Sequence, residues 1–427
     1  MTDYKHTPLG MIPRGWKLGT IEDFGKVLTG STPPTSDASH FGTDYMFVTP
    51  ADIGTNKYII RTERGLTKYG IQKCRTLPPS TVVFVCIGST IGKVGIVTKI
   101  CTANQQINAV VPRERNEGGY LFYFLQLRSG AIARLATKQA VPIINKSHFA
   151  SIPLAIPDFI EQRAICDILD HWDRTIYLTE RLIATKQERR KWLIQQLLTG
   201  KRRLTGFALR SKNIGSKHSN LPEDWGYPQI GKLAQEVTTK NTDGTGLPVL
   251  SCTKYQGLVD SLQYFGKQMF SQDLSTYKVV RRDQFAYATN HIDEGSIGYQ
   301  NLYDEALISP MYTVFQADNS QIDDSFLYLV LKTETYRRIF AAGTSASVNR
   351  RGSLRWKEFS RIHIPLPSIE EQKEIIRVIT TTDHELDLLR AQLDALQEQK
   401  KGLMQQLLTG KKRVKILSAE AIAEEKS

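Results

Sequence analysis

The stretches Leu193–Arg203, LIQQLLTGKRR, and Leu403–Arg413, LMQQLLTGKKR, are one phrase written twice at an offset of 210 residues. The offset holds without a gap well upstream of the phrase. It carries Glu161-Gln162 onto Glu371-Gln372, Ile165 onto Ile375, Asp173 onto Asp383, Leu178 onto Leu388, and Lys191 onto Lys401. Such a duplication governs the fold, because each copy is a unit that the architecture uses twice.

The repeated segment has helical physics. Asp158 with Glu161, and Ser368 with Glu371, are spaced as capping boxes, and Pro157 and Pro367 stand just ahead of them. Gly200 and Gly410 sit where a left-handed C-terminal cap is expected, followed by cations that suit the negative end of the helix dipole. Between these ends apolar residues recur at alternating spacings of three and four. In the first copy the seam runs Ile165, Leu169, Trp172, Ile176, Thr179, Ile183, Lys186, Arg190, Leu193, Leu197. In the second it runs Ile375, Ile379, Thr382, Leu386, Leu389, Leu393, Leu396, Lys400, Leu403, Leu407. This heptad pattern predicts two helices of roughly 38 residues, about 57 Å each, whose apolar stripes most simply cover one another. Lys186, Arg190 and Lys400 interrupt the seam and either set register or face a third protein.

Around the repeat the chain divides into residues 1–150, a first long helix segment within 151–204, a basic linker at 205–220, a second globular segment at 221–362, a second long helix segment within 363–410, and a short charged tail at 411–427. The linker region carries no acidic residue, and the tail reads as mobile. The globular segments open alike, on PRGWKLGTI from Pro13 and PEDWGYPQI from Pro222. Short β-rich runs follow, STVVFVCIGSTIGKVGIV against DQFAYATNHIDEGSIGYQ, then the helical stretches YLFYFLQLRSGAIARLA and FLYLVLKTETYRRIF. Each segment closes on IPLAIP or IPLP, read as a final strand. A shared scaffold with divergent loops is what two domains need if they are held alike but recognise different things. Two like domains on two like helices form a pseudo-twofold object, which suits the local twofold symmetry of duplex DNA.

Composition supports a nucleic-acid partner. The 56 Lys and Arg against 43 Asp and Glu give a net charge of +13, which favours a polyanion. The five cysteines, Cys74, Cys86, Cys101, Cys166 and Cys252, form no C-x-x-C pair and read as free thiols of a reducing cytoplasm rather than as zinc ligands. No apolar run is long enough to span a bilayer, and the N-terminus has no signal-peptide pattern.

The motifs GSTPPTS (30–36), FVTPADI (47–53), IGSTIGKVGIV (87–97), NQQINAV (104–110), the IPLP…EEQ junction and the duplicated QQLLTGK, in this order, resemble the specificity (S) subunit of type I restriction–modification systems across essentially the whole chain. The second half departs from the pattern: NHIDEGSIGYQ is a loose form of the Gly-rich signature, and ALISPMYTVF replaces the Asn-Gln motif. The resemblance implies an α+β protein with two mixed α/β target-recognition domains, joined by two long helices packed as an antiparallel coiled coil with a pseudo-twofold internal repeat. It implies a non-catalytic cytoplasmic subunit for phage defence, in which each recognition domain reads one half of a bipartite asymmetric DNA site. The helices would set the spacer and dock two methyltransferase (M) subunits, with restriction (R) subunits added for cleavage. S-adenosylmethionine, ATP and Mg2+ would belong to the partners, with no cofactor or metal on this chain.

The residues themselves point away from catalysis. The Pro-Pro pairs at Pro33-Pro34 and Pro78-Pro79 lack the flanks of a base-gripping methyltransferase loop. Gly88–Val94, GSTIGKV, is one residue short of a phosphate loop and ends without the hydroxyl that would bind magnesium, so it reads as a β-turn. PDFIEQR at 157–163 superficially matches a nuclease carboxylate pair, but its duplicate PSIEEQK loses the Asp. The eight His form no metal-binding spacing. A stand-alone DNA-binding regulator, an internally duplicated endonuclease, and the specificity subunit of a modification-only or phage-exclusion system are the alternatives.

Base readout calls for forked or paired donors, and phosphate positioning for cations and hydroxyls. Candidates in the first half are Ser31, Thr32, Lys138, Gln139, Asn145 and Lys146. In the second half they are Asn290, His291, Arg350, Arg351, Arg355 and Lys357. The stretches 136–148 and 341–357 both precede the closing strand, so the two sets occupy matching positions.

Overall fold

A computed structural model describes residues 3–137, 141–207, 221–242, 244, 246–345 and 352–414. The chain divides into two compact units, Met1–Leu182 with Leu389–Ser427, and Ile183–Leu388. The sequence reading places the globular segments at 1–150 and 221–362, each leading into one copy of the long helix. Each unit holds one globular domain plus half of each long helix, because the apolar stripe of each half-helix belongs to that domain's core.

In the first unit a sheet runs in the order Gly25–Thr29, Ile107–Pro112, Val82–Val85, Val94–Val97, Tyr58–Ile59. Its pairs are antiparallel except the last, with Ala109 opposite Val83. Both faces of the central strands are apolar and buried, as expected of a sheet covered on each side. The second unit repeats this order as Ala234–Val237, Tyr312–Ala317, Phe285–Ala288, Ile297–Tyr299, antiparallel throughout, with Ala286 opposite Val314. Gly88 and Gly92, at φ +95° and +102°, lie in the connection between Val82–Val85 and Val94–Val97, so GSTIGKV is a turn.

Two local expectations change. The stretch from Phe326 to Phe340 is two helices, Asp324–Leu331 and Glu334–Ser345, rather than one. Thr333 interrupts it, its hydroxyl accepting from the Tyr336 N–H at 3.4 Å, as a side-chain N-cap does. The closing IPLAIP forms a strand, Pro153–Ile156, paired with Lys17–Thr20. IPLP makes an isolated bridge at Leu366, and His363 just ahead of it makes another.

The repeated segments are the helices Phe159–Leu197, of 39 residues, and Ile369–Leu408, of 40. Gly200 and Gly410 follow them at φ +65° and +69°, the left-handed geometry expected of the caps. In the first unit Ile165 and Leu169 share a core with Leu403, Met404 and Leu407 from the end of the other helix. In the second, Ile375 and Ile379 share one with Leu193 and Leu197. Start meets end in both cores, so the helices run antiparallel within each unit. Ile183 and Leu386 are also buried, while Trp172, Ile176, Leu389, Leu393 and Leu396 are half-buried. Among the described residues no helix is long and apolar enough to cross a membrane.

Candidate nucleic-acid interface

A matched set of contacts holds each domain to the helices. In the first unit the Trp16 indole N–H donates to Glu161 Oε2 at 2.9 Å, and the Arg413 guanidinium donates to both oxygens of the same carboxylate at 2.5 and 2.8 Å. In the second unit Trp225 donates to Glu371 Oε2 at 3.0 Å, and Arg203 donates to its two oxygens at 2.9 and 2.6 Å. The two carboxylates are therefore more than halves of a capping box. Asp158 and Ser368 do accept from the Glu161 and Glu371 N–H groups, but the Glu side chains turn to the domain instead of back to the cap. Hydrogen bonding to these carboxylates holds the Arg203 and Arg413 pKa values above the ordinary arginine range. The adjacent amides repeat the logic. Gln162 accepts from the Glu117 N–H at 2.8 Å and Gln372 from the Asp323 N–H at 2.8 Å, each at the N-cap of a domain helix.

The cationic seam positions also find partners. Arg190 donates to both oxygens of Asp383 through Nε and Nη2, and Lys400 pairs with Asp173 at 2.5 Å. The 210-residue offset exchanges one pair for the other. Lys186 meets Glu385 at 2.6 Å. These residues thus set the helix–helix register. The first unit extends the link: Lys57 bonds Asp170 at 2.5 Å, and the buried Tyr123 hydroxyl reaches both Asp170 and Asp173.

The divergent loops gather at one end of each sheet. In the first unit the Ile144 N–H donates to Cys86 O, the Gly88 N–H to Pro142 O, and the Cys86 N–H to Gln106 O. These bonds bring the turn 86–93, the Asn104–Gln106 segment and the 142–146 segment together. Ser31 and Thr32 join them, since the Ser31 N–H donates to Ala103 O and the Thr32 hydroxyl to Gln105 Oε1 at 2.6 Å. Lys146 is exposed here. Asn145 is exposed as well, and its Oδ1 accepts from the His148 N–H at 2.8 Å and the Ser147 hydroxyl at 2.9 Å, which makes it the N-cap of the helix Lys146–Ala150. Lys138 and Gln139 lie outside the described residues.

In the second unit the Leu354 N–H donates to Thr289 O, which brings the segment before the closing bridges beside the turn holding Asn290 and His291. Asn290, His291, Arg355 and Lys357 are all exposed. The His291 ring lies 3.2 Å from Glu294 Oε1. Arg350 and Arg351 lie outside the described residues. Two exposed residues of the first rim escaped sequence reading, Arg75 and Gln105. Gln105 was within reach, since it belongs to the NQQINAV motif; Arg75 sits in a loop without periodicity or motif.

All five cysteines are free, and burial pushes the Cys86, Cys101 and Cys252 thiols up to about 12, far from nucleophilic character at neutral pH. The arrangement is a pair of rigid frames that display donors and acceptors at their rims.

Comparison with known proteins agrees with this geometry. The family model described as the type I restriction modification DNA specificity domain matches residues 13–185 and again 236–398. The type I restriction enzyme MjaVIII specificity subunit of Methanocaldococcus jannaschii is 23% identical over 431 residues, covering 95% of each chain. The MjaIX specificity subunit of the same organism is 29% identical over 181 residues, 41% of this chain and 42% of that one. Among solved structures, a chain of a type I R-M system has a TM-score of 0.59 at 17% identity, covering 93% of this chain and 99% of its own length. The HsdS subunit from Thermoanaerobacter tengcongensis has a TM-score of 0.55 at 16% identity, covering 93% and 98%. With two copies of the domain, each on its own frame and helix clamp, the chain belongs to the type I restriction modification DNA specificity domain family.

Proposed function

We propose that this chain is the DNA-specificity subunit of a type I restriction–modification complex and carries no catalytic residue of its own. Each domain reads one half of a bipartite, asymmetric site, and the paired helices set the number of unread base pairs and dock two M subunits, with R subunits joining for cleavage. S-adenosylmethionine, ATP and Mg2+ act on those partners, in the cytoplasm. The observation that supports this reading most is the division of labour in the sequence. What is duplicated (Trp16/Trp225, Glu161/Glu371, Arg413/Arg203) holds the frame, while the rim loops differ between halves. Like frames with unlike rims suit two unlike half-sites on one duplex.

The test is to map methylated motifs in host DNA with the gene present and deleted. A bipartite motif that disappears on deletion and returns with the full-length chain is the expected result. An unchanged methylation pattern, or magnesium-dependent DNA cleavage by the purified chain alone, would overturn the assignment.

A further inference from the structure

We infer that Gln105 and Arg75 are the base-reading pair of the first domain, held in position by Thr32 and Ser31; this rests on the DNA-specificity function proposed above. The two residues reach one rim from separate loops. Gln105 lies between the strands Cys101–Ala103 and Ile107–Pro112, and Arg75 lies ahead of Leu77, which bridges Cys101. The GSTPPTS loop ties them down. The Thr32 hydroxyl donates to Gln105 Oε1 at 2.6 Å, while the Arg75 N–H donates to Ser31 Oγ at 2.8 Å and its guanidinium to Thr29 O at 2.7 Å. Gly30 makes the approach possible. A Cβ there would stand 2.0 Å from Asn104 O and 2.4 Å from Ala103 O, so no larger residue could bring this loop so near the Gln105 backbone.

The chemistry of the pair is that of major-groove readout. The Thr32 contact occupies one lone pair of the Gln105 amide oxygen and leaves the amide's second lone pair and N–H donors out of that contact, the set that pairs with adenine N7 and N6. Arg75 commits one donor of its fork to Thr29 O, which orients the plane; the remaining donors suit guanine O6 and N7. Both side chains are exposed yet tethered, so less rotamer freedom is lost on binding. The second domain presents different chemistry at this place. Its corresponding turn, between Glu305–Ile308 and Tyr312–Ala317, is Ser309-Pro310-Met311, and the nearby Lys278 ammonium is turned onto Tyr312 O at 2.6 Å. Among the described residues the Gln–Arg pair therefore belongs to the first domain.

The test is selection from a randomised duplex DNA library by the full-length chain coexpressed with its M subunit. For the wild type a bipartite motif is expected. Gln105→Ala should relax discrimination at one position of one half-site by about tenfold or more, and Arg75→Ala at another position of the same half. Gln105→Glu should move the preference at its position toward cytosine, a gain that misfolding cannot produce. Thr32→Val should weaken, without abolishing, the preference at the Gln105 position. Wild-type enrichment retained within twofold in Gln105→Ala and Arg75→Ala, or equal loss in both half-sites, would overturn the inference alone. A wild-type complex that enriches no motif would instead remove the proposed function and this inference together.

Discussion

The two domains share a frame and differ in how deeply it is locked. Arg203 is 7% exposed and adds a bond to Asp224 at 2.8 Å, whereas Arg413, which plays the same part in the first unit, is 46% exposed. The helix register pairs differ in the opposite sense. Arg190–Asp383 is half-exposed, while Lys400–Asp173 is joined to Tyr123, Asp170 and Lys57. Each unit thus carries one more-buried and one more-exposed ionic contact, and the two lie at opposite places. Duplication preserved the geometry of both contacts and left their depth free to change. Depth sets their energetic weight, since a buried ion left without its partner costs several times what an exposed pair contributes.

The largest expected effect tests the clamp. Glu371→Ala takes from the Trp225 indole its acceptor and from the buried Arg203 its two-oxygen partner, leaving it only Asp224, and should cost about 3 kcal/mol in urea unfolding of the full chain. Glu161→Ala should cost less, about 2 kcal/mol, because the half-exposed Arg413 can turn to water. Equal losses would show that the difference in depth carries no energetic weight.

Next come the glycines that end the helices. A Cβ at Gly200 would meet Pro222 Cδ at 2.3 Å, and one at Gly410 would meet Pro13 Cδ at 2.3 Å. Each Gly→Ala change should cost about 2–4 kcal/mol, combining left-handed backbone strain with overpacking. Here the two units should respond alike. A mild effect at one site only would break the equivalence of the caps.

The register pairs should rank the other way from the clamps. Asp173→Ala removes the partner of the mostly buried Lys400 and one of the two acceptors of the Tyr123 hydroxyl, and should cost about 2 kcal/mol. Asp383→Ala, in the more exposed pair, should cost about 1 kcal/mol or less. Double-mutant cycles with Lys400→Ala and Arg190→Ala would read the coupling directly, and a larger coupling at Arg190–Asp383 would reverse the ranking.

The smallest effect is a pH response confined to the second unit. Burial raises the Asp324 pKa from the ordinary value near 3.8 to about 6, with the Asp283 and Asp323 charges adding to it. At the matching place after its helix N-cap the first unit has Gly118, which does not titrate. A carboxyl whose pKa is higher when folded binds its proton more tightly in the folded state. Its ionisation therefore weighs against folding above about pH 6 and is relieved as the pH falls toward 4. Acidification from pH 7 to pH 5 should raise the urea midpoint of wild type relative to Asp324→Asn; parallel curves for the two would refute the assignment.

Much of the frame was legible because it is written in local chemistry. Gly200 and Gly410 announce their caps, and the apolar spacing from Ile165 and from Ile375 announces helices of the observed length. The rim was legible only in part. Ser31 and Thr32 read in the sequence as DNA contacts, and in the structure their hydroxyls bond Arg75 and Gln105. Asn145 is a candidate reader by residue type, and its hydrogen bonds show that its side-chain oxygen also caps a short helix. The glutamates at 161 and 371 satisfy the capping-box spacing, yet a tryptophan about 145 residues away in sequence decides where each carboxylate points.

By itself the sequence determined that there are two copies, where each helix starts and stops, and which face of each is apolar. Helix propensity, capping and periodicity act over a few residues, and those residues are contiguous. Tertiary structure alone decided that the end of each helix belongs to the core around the start of the other, that Gly410 packs on Pro13 and Gly200 on Pro222, and that the seam cations bond Asp383, Asp173 and Glu385. Those choices depend on which buried charges and apolar stripes meet across hundreds of residues. That pairing is settled by desolvation and packing, which no local pattern encodes.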